Sequence, residues 1–139
     1  MEYPKPIRDL IEGYLTLPGI GKKTAERLAL YTFSEMKEEA ALKFGNAIIN
    51  VQKDLHRCPV CHNISSIDGL CEICSDDKRD KGIVMVVETI KDVFIMEKMN
   101  EFKGMYHVLD GAINFAAGIG VDDINITSLF NRVASGEVK

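Results

Sequence analysis

Four cysteines within residues 58–74 constrain this chain more than any other feature. They form two Cys-x-x-Cys pairs, Cys58 with Cys61 and Cys71 with Cys74, separated by nine residues. Two such pairs can supply four thiolates to one tetrahedral Zn²⁺ ion. We therefore predict one structural zinc ion per chain, with no ligand position left open for catalysis. The nine-residue insert is too short for a core of its own, so the metal would provide its folding energy.

Two other interpretations of the cysteines stay open at this point. The spacing could be a coincidence, or the pairs could be redox-active dithiols. His56 and His62 flank the first pair and could compete as ligands. Because four thiolates already complete the site, we expect both histidines to be surface residues.

Composition limits the class of protein. The chain has 139 residues, of which 46% are apolar and 27% charged. That length and mix can bury a core, and they exclude a disordered tail or a collagen-like fibre. The sequence has no apolar run of membrane-spanning length and no signal-peptide core at its start. We expect a soluble cytosolic protein with no membrane partner.

Charge is unevenly distributed along the chain. The net charge of −4 argues against nucleic-acid binding by the whole surface. Residues 1–57 nevertheless carry nine Lys or Arg against eight Asp or Glu, whereas residues 58–81 and 82–139 are net negative. Phosphate contacts are therefore expected in the N-terminal third.

Apolar spacing predicts three helices in that third. The first covers residues 7–15, and the second runs from about 22 to 33 after a break at residues 17–21. Ser34 is a candidate N-cap for a third helix, which continues to Leu55 and has acidic residues near its start.

The break between the first two helices contains Pro18, Gly19, Ile20 and Gly21, the pattern of a helix-hairpin-helix. Its glycines allow a tight turn and a close approach to a ligand. Cations in the first turn of the next helix cost ~0.3–1 kcal/mol each unless an anion such as DNA phosphate offsets them. An ordinary turn with solvated lysines is the alternative. The predicted DNA-binding residues are Gly19, Gly21, Lys22, Lys23 and Arg27.

The C-terminal half predicts a βαβ unit after a charged linker at residues 76–80. A strand at 83–87, apolar throughout, is expected to be buried on both faces. Thr89 would cap a helix ending near Asn100, and a second strand covers 105–109. A short helix at 128–134 and the opening of a third strand at 137–139 complete the prediction.

Carboxylates follow both strands of this unit. Glu88 and Asp110 lie at the carboxyl ends, where open α/β sheets bind ligands, and together they could hold Mg²⁺. They could equally face water or cap a helix. His107, within a strand, is expected to be structural. The second Gly-Ile-Gly, at residues 118–120, is expected to be a loop because Asp122 and Asp123 would repel phosphate.

Several segments in this order resemble the RecR family of bacterial recombination mediators. They are residues 17–28, the cysteine cluster 58–74, residues 78–80 before 83–88, and residues 102–109. The resemblance implies an α+β, multi-module chain. Its expected modules are a helix-hairpin-helix DNA-binding domain (1–55), a Cys₄ zinc finger (56–77) and the N-terminal part of an α/β Toprim domain with a parallel sheet (78–139).

The resemblance also implies function. Members of the family are not known as enzymes, and they bind single- and double-stranded DNA without sequence specificity. They act in bacterial cytoplasm at the nucleoid, with RecO and RecF, and load RecA onto gapped DNA during repair. They dimerise through N-terminal helices and form tetrameric rings. Family Toprim domains continue past the point matching Lys139, and members usually carry Ser-Pro near 114–115 and Gly-Pro at 120–121.

Two rival classes remain. A Toprim primase, nuclease or topoisomerase fragment would use Glu88 in a Mg²⁺ site, but such enzymes pair it with a later Asp-x-Asp, which this sequence lacks. A purely structural zinc adaptor would leave the hairpin lysines unexplained.

Overall fold

Residues 1–112 and 114–139 are described by a computed structural model of the chain. The chain forms two units, Met1–Val51 and Gln52–Lys139, which are described separately below. Across the described ranges, no helix combines the length and apolar character needed to cross a membrane.

The first unit is helical. Its elements are α1 (Lys5–Leu15), α2 (Lys22–Ser34) and most of α3, which begins at Glu38 and ends at Asp54, three residues past the end of this unit. Small side chains let α2 pack closely on α1, since Ala25 and Ala29 are completely buried. The hydroxyl of Tyr14 contacts Thr32 Oγ1 at 2.9 Å, and Thr32 in turn donates to the Leu28 carbonyl. The predicted pair of helices around a proline-glycine break is confirmed.

The predicted start of the third helix is wrong. Ser34 is the last residue of α2 rather than an N-cap, and Glu35 closes α2 by donating its N–H to the Tyr31 carbonyl at 2.8 Å. Ser34 and Glu35 therefore belong to the end of α2 and do not start a new helix. The acidic start of α3 is confirmed, because Glu38 and Glu39 occupy its first turn.

The second unit contains two small sheets. Strands β1 (His56–Arg57) and β2 (Ile64–Ser65) pair antiparallel around the first cysteine pair. Strand β3 (Asp80–Val87), helix α4 (Ile90–Met99) and strand β4 (Gly104–Val108) form the predicted βαβ unit, in which β3 and β4 are parallel. Helix α5 (Ile126–Ala134) follows two short 3₁₀ turns, Phe115–Ala117 and Val121–Asp123. The expected loop at residues 118–120 lies between those turns.

Helix α4 begins and ends as its sequence predicts. The N–H of Thr89 donates to Asp92, the reciprocal contact of a capping box. Asn100 ends the helix in the left-handed conformation with φ 54°. Val93 of α4 is buried with Tyr106 and Val108 of β4.

The expectation that the first strand is buried on both faces is wrong. Ile83 and Val86 of β3 are 54% and 45% exposed, whereas Met105 to Val108 of β4 are at most 4% exposed. Among the described strands β3 pairs with β4 alone, so only part of its surface is covered. The apolar composition of β3 therefore overstated its burial.

Two further expectations about this unit need correction. The predicted linker at residues 76–80 is an ordered turn up to Arg79, which donates its N–H to the Asp76 carbonyl and has a side chain only 12% exposed, and Asp80 already belongs to β3. Residues 137–139 form no strand, although the N–H of Lys139 donates to the Gly82 carbonyl at 2.9 Å. One backbone bond beside β3 is too little for a ladder.

Candidate metal centre and nucleic-acid interface

All four cysteine side chains meet at one buried point. Their Sγ atoms lie within 4.8 Å of one another, and their exposed fractions run from 0% for Cys58 to 5% for Cys74. Tetrahedral zinc at its usual Zn–S distance would separate the sulfurs by about 3.8 Å. The sulfurs of Cys61 and Cys71 are 3.5 Å apart. The four cysteines therefore fit a single metal ion.

Backbone donors around the cluster suit thiolates. The N–H groups of Asn63, Cys71 and Cys74 point at the sulfurs of Cys61, Cys58 and Cys71, each at 3.4 Å. Such donors stabilise negative sulfur, which is the form that binds metal. The Asn63 N–H follows a left-handed residue, His62, whose φ is 66°.

The thiols also titrate as a set. Hydrogen bonds from Cys61 and Cys74 lower the pKa of Cys71 to about 2. The bond to Cys71 raises the pKa of Cys61 to about 12, and bonds to Cys61 and Cys71 raise that of Cys74. One thiolate thus forms readily, and further thiolates beside it are costly. A divalent cation would remove that cost, so the donor set has the chemistry of a metal site.

The cysteine cluster packs directly on the second sheet. Met105 of β4 is buried among the sulfurs, and Ile73 contacts both the cysteines and the core beneath α4. The N–H of Val108 donates to the Cys61 carbonyl at 2.8 Å. The predicted module boundary at 77/78 stays a prediction, but the core is shared across it.

The two flanking histidines behave differently. His56 is exposed, as expected. His62 is half-buried rather than on the surface, because its Nε2 lies 2.8 Å from Ser128 Oγ and its ring packs against His107 at 5.2 Å. Burial lowers the pKa of His62. Residue spacing could not reveal this contact, since α5 supplies the partner 66 residues later.

His107 is structural, as expected. It is fully buried, and its Nε2 donates to the Asn125 carbonyl at 2.7 Å. The guanidinium of Arg132 donates to Nδ1 at 3.0 Å. This pairing requires the neutral ring, and burial lowers the pKa of His107 accordingly. The cluster attaches α5 to β4.

The hairpin between α1 and α2 has the geometry that its glycines predict. Gly19 adopts φ 79°, a conformation that other residues take only with strain. Gly21 has an ordinary φ of −90°, and a Cβ added there would meet no atom within 4 Å. The fold therefore requires glycine at 19 but not at 21. Gly21 instead keeps the surface in front of α2 open.

No acidic side chain of the first turn offsets the positive charge at the start of α2. It has no side-chain cap and no acidic residue in its first turn. Within the described residues, no acceptor reaches the backbone N–H groups of Lys22, Lys23 or Thr24, and no carboxylate pairs with the three predicted cations, Lys22, Lys23 and Arg27. Unpaired N–H donors and positive charge at a helix start are features that favour an anion there.

The two strand-end carboxylates, Glu88 and Asp110, have different surroundings. Asp110 makes an ion pair with Arg57 at 2.9 Å and accepts a hydrogen bond from Asn125 Nδ2 at 3.0 Å. Glu88 is exposed, and its carbonyl accepts from the Gly111 N–H. In the described part of the chain, the cysteine cluster is the only group of three or more metal-binding side chains. Asp110 is thus paired with Arg57, and a Mg²⁺ site at Glu88 and Asp110 stays a prediction.

A helix-hairpin-helix, a four-cysteine cluster and a βαβ unit make this a multi-module chain. Comparison with known proteins agrees. Residues 7–52 match the profile "RecR, helix-hairpin-helix", and residues 82–138 match "Toprim domain". The chain belongs to the RecR family of recombination proteins.

Individual relatives give the degree of similarity. Recombination protein RecR of Enterococcus faecalis (strain ATCC 700802 / V583) is 55% identical over 139 residues, which are all of this chain and 69% of the relative. Recombination protein RecR of Staphylococcus aureus (strain JH9) is 50% identical over 99% of this chain and 69% of the relative. That of Staphylococcus haemolyticus (strain JCSC1435) is 49% identical over 100% and 69%.

Proposed function

We propose that this protein is a DNA-binding recombination mediator whose hairpin holds DNA phosphates. The observation that carries the proposal is the start of α2, where, within the described residues, free backbone N–H groups coincide with unpaired Lys22, Lys23 and Arg27. Gly19 and Gly21 would let the phosphate approach the backbone. Such contacts read no base, so single and double strands of any sequence would bind.

One hairpin is a weak site. Three cations on a chain of net charge −4 should bind DNA near the ~10⁻⁴–10⁻⁶ M typical of non-specific contacts. Useful affinity would come from several hairpins on one DNA molecule, because later contacts are then intramolecular. The proposed function thus includes self-association.

The first unit has a surface suited to that association. An apolar groove of about 380 Å³ lies between α1, α2 and α3. Phe44 and Ile48 of α3 line it and are 50% and 56% exposed. We propose that a second copy covers this surface, giving a dimer through the N-terminal helices and, as the family resemblance implies, a tetrameric ring. Exposed apolar patches of this kind mark interaction sites.

The metal in this proposal is one structural Zn²⁺ per chain. Cys58, Cys61, Cys71 and Cys74 would hold it, and four thiolates leave no position for a substrate. Bound zinc would supply charge neutralisation to the cluster, while the residues themselves fix β1, β2 and Met105 around it. Its role would be to stabilise the second unit.

The family resemblance supplies the proposed partners. RecO- and RecF-type proteins would act with this chain in the bacterial cytoplasm, at the nucleoid, to load RecA on gapped DNA. The exposed carboxylate of Glu88, near the end of β3, would suit a basic surface on such a partner. The alternative, a Mg²⁺-dependent Toprim enzyme, lacks support from Asp110 because Arg57 already pairs with it.

The salt dependence of DNA binding tests the proposal. Replacing Lys23 and Arg27 with alanine should weaken binding to all sequences and lower the log–log salt slope by roughly 0.9 for each lost phosphate contact on duplex DNA. Lys91 and Lys98 of α4, replaced together, are the charge-matched control. An unchanged slope in the Lys23 and Arg27 variant would refute the hairpin as the DNA site.

A second assay separates the mediator from the enzyme. Glu88→Ala should leave DNA affinity nearly unchanged, because a carboxylate does not attract phosphate. Mg²⁺-dependent strand scission or primer synthesis that disappears in this variant would favour the enzyme instead.

A further inference from the structure

An acidic residue lies inside the cationic surface of α2. Glu26 is four residues after Lys22 and three after Lys23, so the three side chains are neighbours on the helix surface. A carboxylate there has two unfavourable effects on phosphate binding: it can neutralise a lysine, and it can repel the phosphate directly. The proposed DNA site therefore requires that Glu26 be restrained.

The restraint comes from the start of the chain. The hydroxyl of Tyr3 donates to Glu26 Oε1 at 2.5 Å. Neither Lys22 nor Lys23 pairs with Glu26 anywhere in the described structure. The carboxylate is thus bound by a neutral donor, which satisfies an oxygen without consuming a lysine.

Tyr3 is itself held in place. The Nε of Arg8 donates to the Tyr3 carbonyl at 3.0 Å. The next residue, Pro4, has a fixed φ and ends the segment by accepting the N–H groups of Ile7 and Arg8 at the start of α1. The segment before α1 is thereby attached on one side to α1 and on the other to α2.

From this geometry we propose that Tyr3 is a positioning residue for DNA binding, which engages Glu26 so that Lys22 and Lys23 stay available for phosphate. The inference rests on the proposed function, because it takes the start of α2 as the DNA site. It adds a residue outside the hairpin to the determinants of affinity.

Removing only the hydroxyl tests the role. In Tyr3→Phe, Glu26 is free to pair with Lys22, and affinity for a labelled duplex should fall about twofold, the size of one ion pair on a helix surface. The log–log salt slope of binding should fall too, because a lysine that is already paired with Glu26 neutralises no phosphate. Tyr31→Phe is the matched control. Tyr31 lies on α2, the helix that carries Glu26, its side chain is 54% exposed, and its hydroxyl has no partner in the described structure.

The second arm removes the carboxylate. Glu26→Gln should bind DNA at least as tightly as the natural protein, and adding Tyr3→Phe to it should change nothing. Full additivity of the two substitutions would overturn the proposal. Hydroxyl titration gives an independent readout: the hydrogen bond to Glu26 raises the pKa of Tyr3, so Glu26→Gln should bring it back toward its ordinary value.

The Lys23 and Arg27 double variant separates this inference from the function beneath it. If that variant loses affinity while Tyr3→Phe binds like the natural protein, the positioning role is wrong and the hairpin site stands. If neither variant changes binding, the proposed function fails and the role of Tyr3 fails with it.

Discussion

The backbone N–H of Val108 donates a hydrogen bond to the carbonyl oxygen of Cys61, joining the last residue of β4 to the first cysteine pair. Val108 is fully buried beside Tyr106 and Val93. The cysteine-bearing segment and the parallel sheet therefore share a backbone hydrogen bond as well as side-chain packing. Disturbance of one should reach the other.

The first prediction follows from that connection. Cys71→Ser should lower the metal content and speed hydrogen exchange in β4 as well as around the cysteines, leaving α1 and α2 unchanged. We expect a loss of at least about 3 kcal/mol of stability, a fraction of the ~10–16 kcal/mol apparent for structural zinc in small peptides. Elemental analysis and exchange mass spectrometry measure both effects.

Ser75→Ala is the control for this substitution, because the Ser75 hydroxyl bonds to the Cys71 carbonyl and is not a metal ligand. It should retain the metal. Full metal occupancy in Cys71→Ser would mean that another group, such as His62, is a true ligand.

The hairpin glycines should separate folding from binding. Gly19→Ala forces a left-handed alanine and should cost about 1–2 kcal/mol in unfolding free energy. Gly21→Ala meets no atom of the chain, so its thermal midpoint should change little while DNA affinity falls. Equal effects of both variants on affinity and stability would argue against a ligand in front of Gly21.

A carboxylate in the second unit predicts a pH dependence. Burial alone would raise the pKa of Glu97, but hydrogen bonds from Arg79 and Tyr106 outweigh it and lower that pKa. A lowered pKa in the folded state contributes stability above the unfolded value of about 4.3, which is lost as the pH falls through the folded value. Chemical denaturation between neutral and acid pH measures this loss.

Glu97→Gln should reduce the loss of unfolding free energy between neutral and acid pH. Glu101→Gln, an exposed neighbour with no ion pair in the described structure, is the control and should keep the natural profile. The same loss in Glu97→Gln as in the natural protein would show that other carboxylates determine acid stability.

Self-association gives the fourth prediction. Ile48→Asp places a charge in the apolar groove of the first unit and should convert a dimer to a monomer by sedimentation analysis. Ile95→Asp is the control, because Ile95 lies on α4 and is similarly exposed. It should leave the mass of the protein in solution unchanged. A natural protein that is monomeric at every concentration would contradict the proposed interface.

Local signals explain which parts of this structure were predictable. The cysteine spacing, the proline-glycine break before Lys22 and the Thr89 cap each depend on residues close in sequence, and the structure confirms all three features. The prediction that Ser34 caps the third helix was wrong because Ser34 is the last residue of helix α2. Local propensity could not rank those two outcomes.

Contacts between residues far apart in the sequence could not be predicted from local patterns. Arg57 and Asp110 are 53 residues apart, and Tyr3 and Glu26 are 23 apart. Strands β1 and β2 have only two residues each, too few for a periodic signal. Their geometry depends on how the chain returns to the cysteines, which composition and spacing do not encode.

The side chain of Arg79 has a consequence for the order of events during synthesis. Besides Asp76, its partners are the Glu97 carboxylate and the carbonyls of Phe102 and Gly104, all of which come later in the chain. Arg79 therefore leaves the ribosome before Glu97, the carboxylate that lies closest to it. The turn before β3 can reach its final form only when the rest of the βαβ unit has been translated, although the cysteines upstream could already have captured a metal ion.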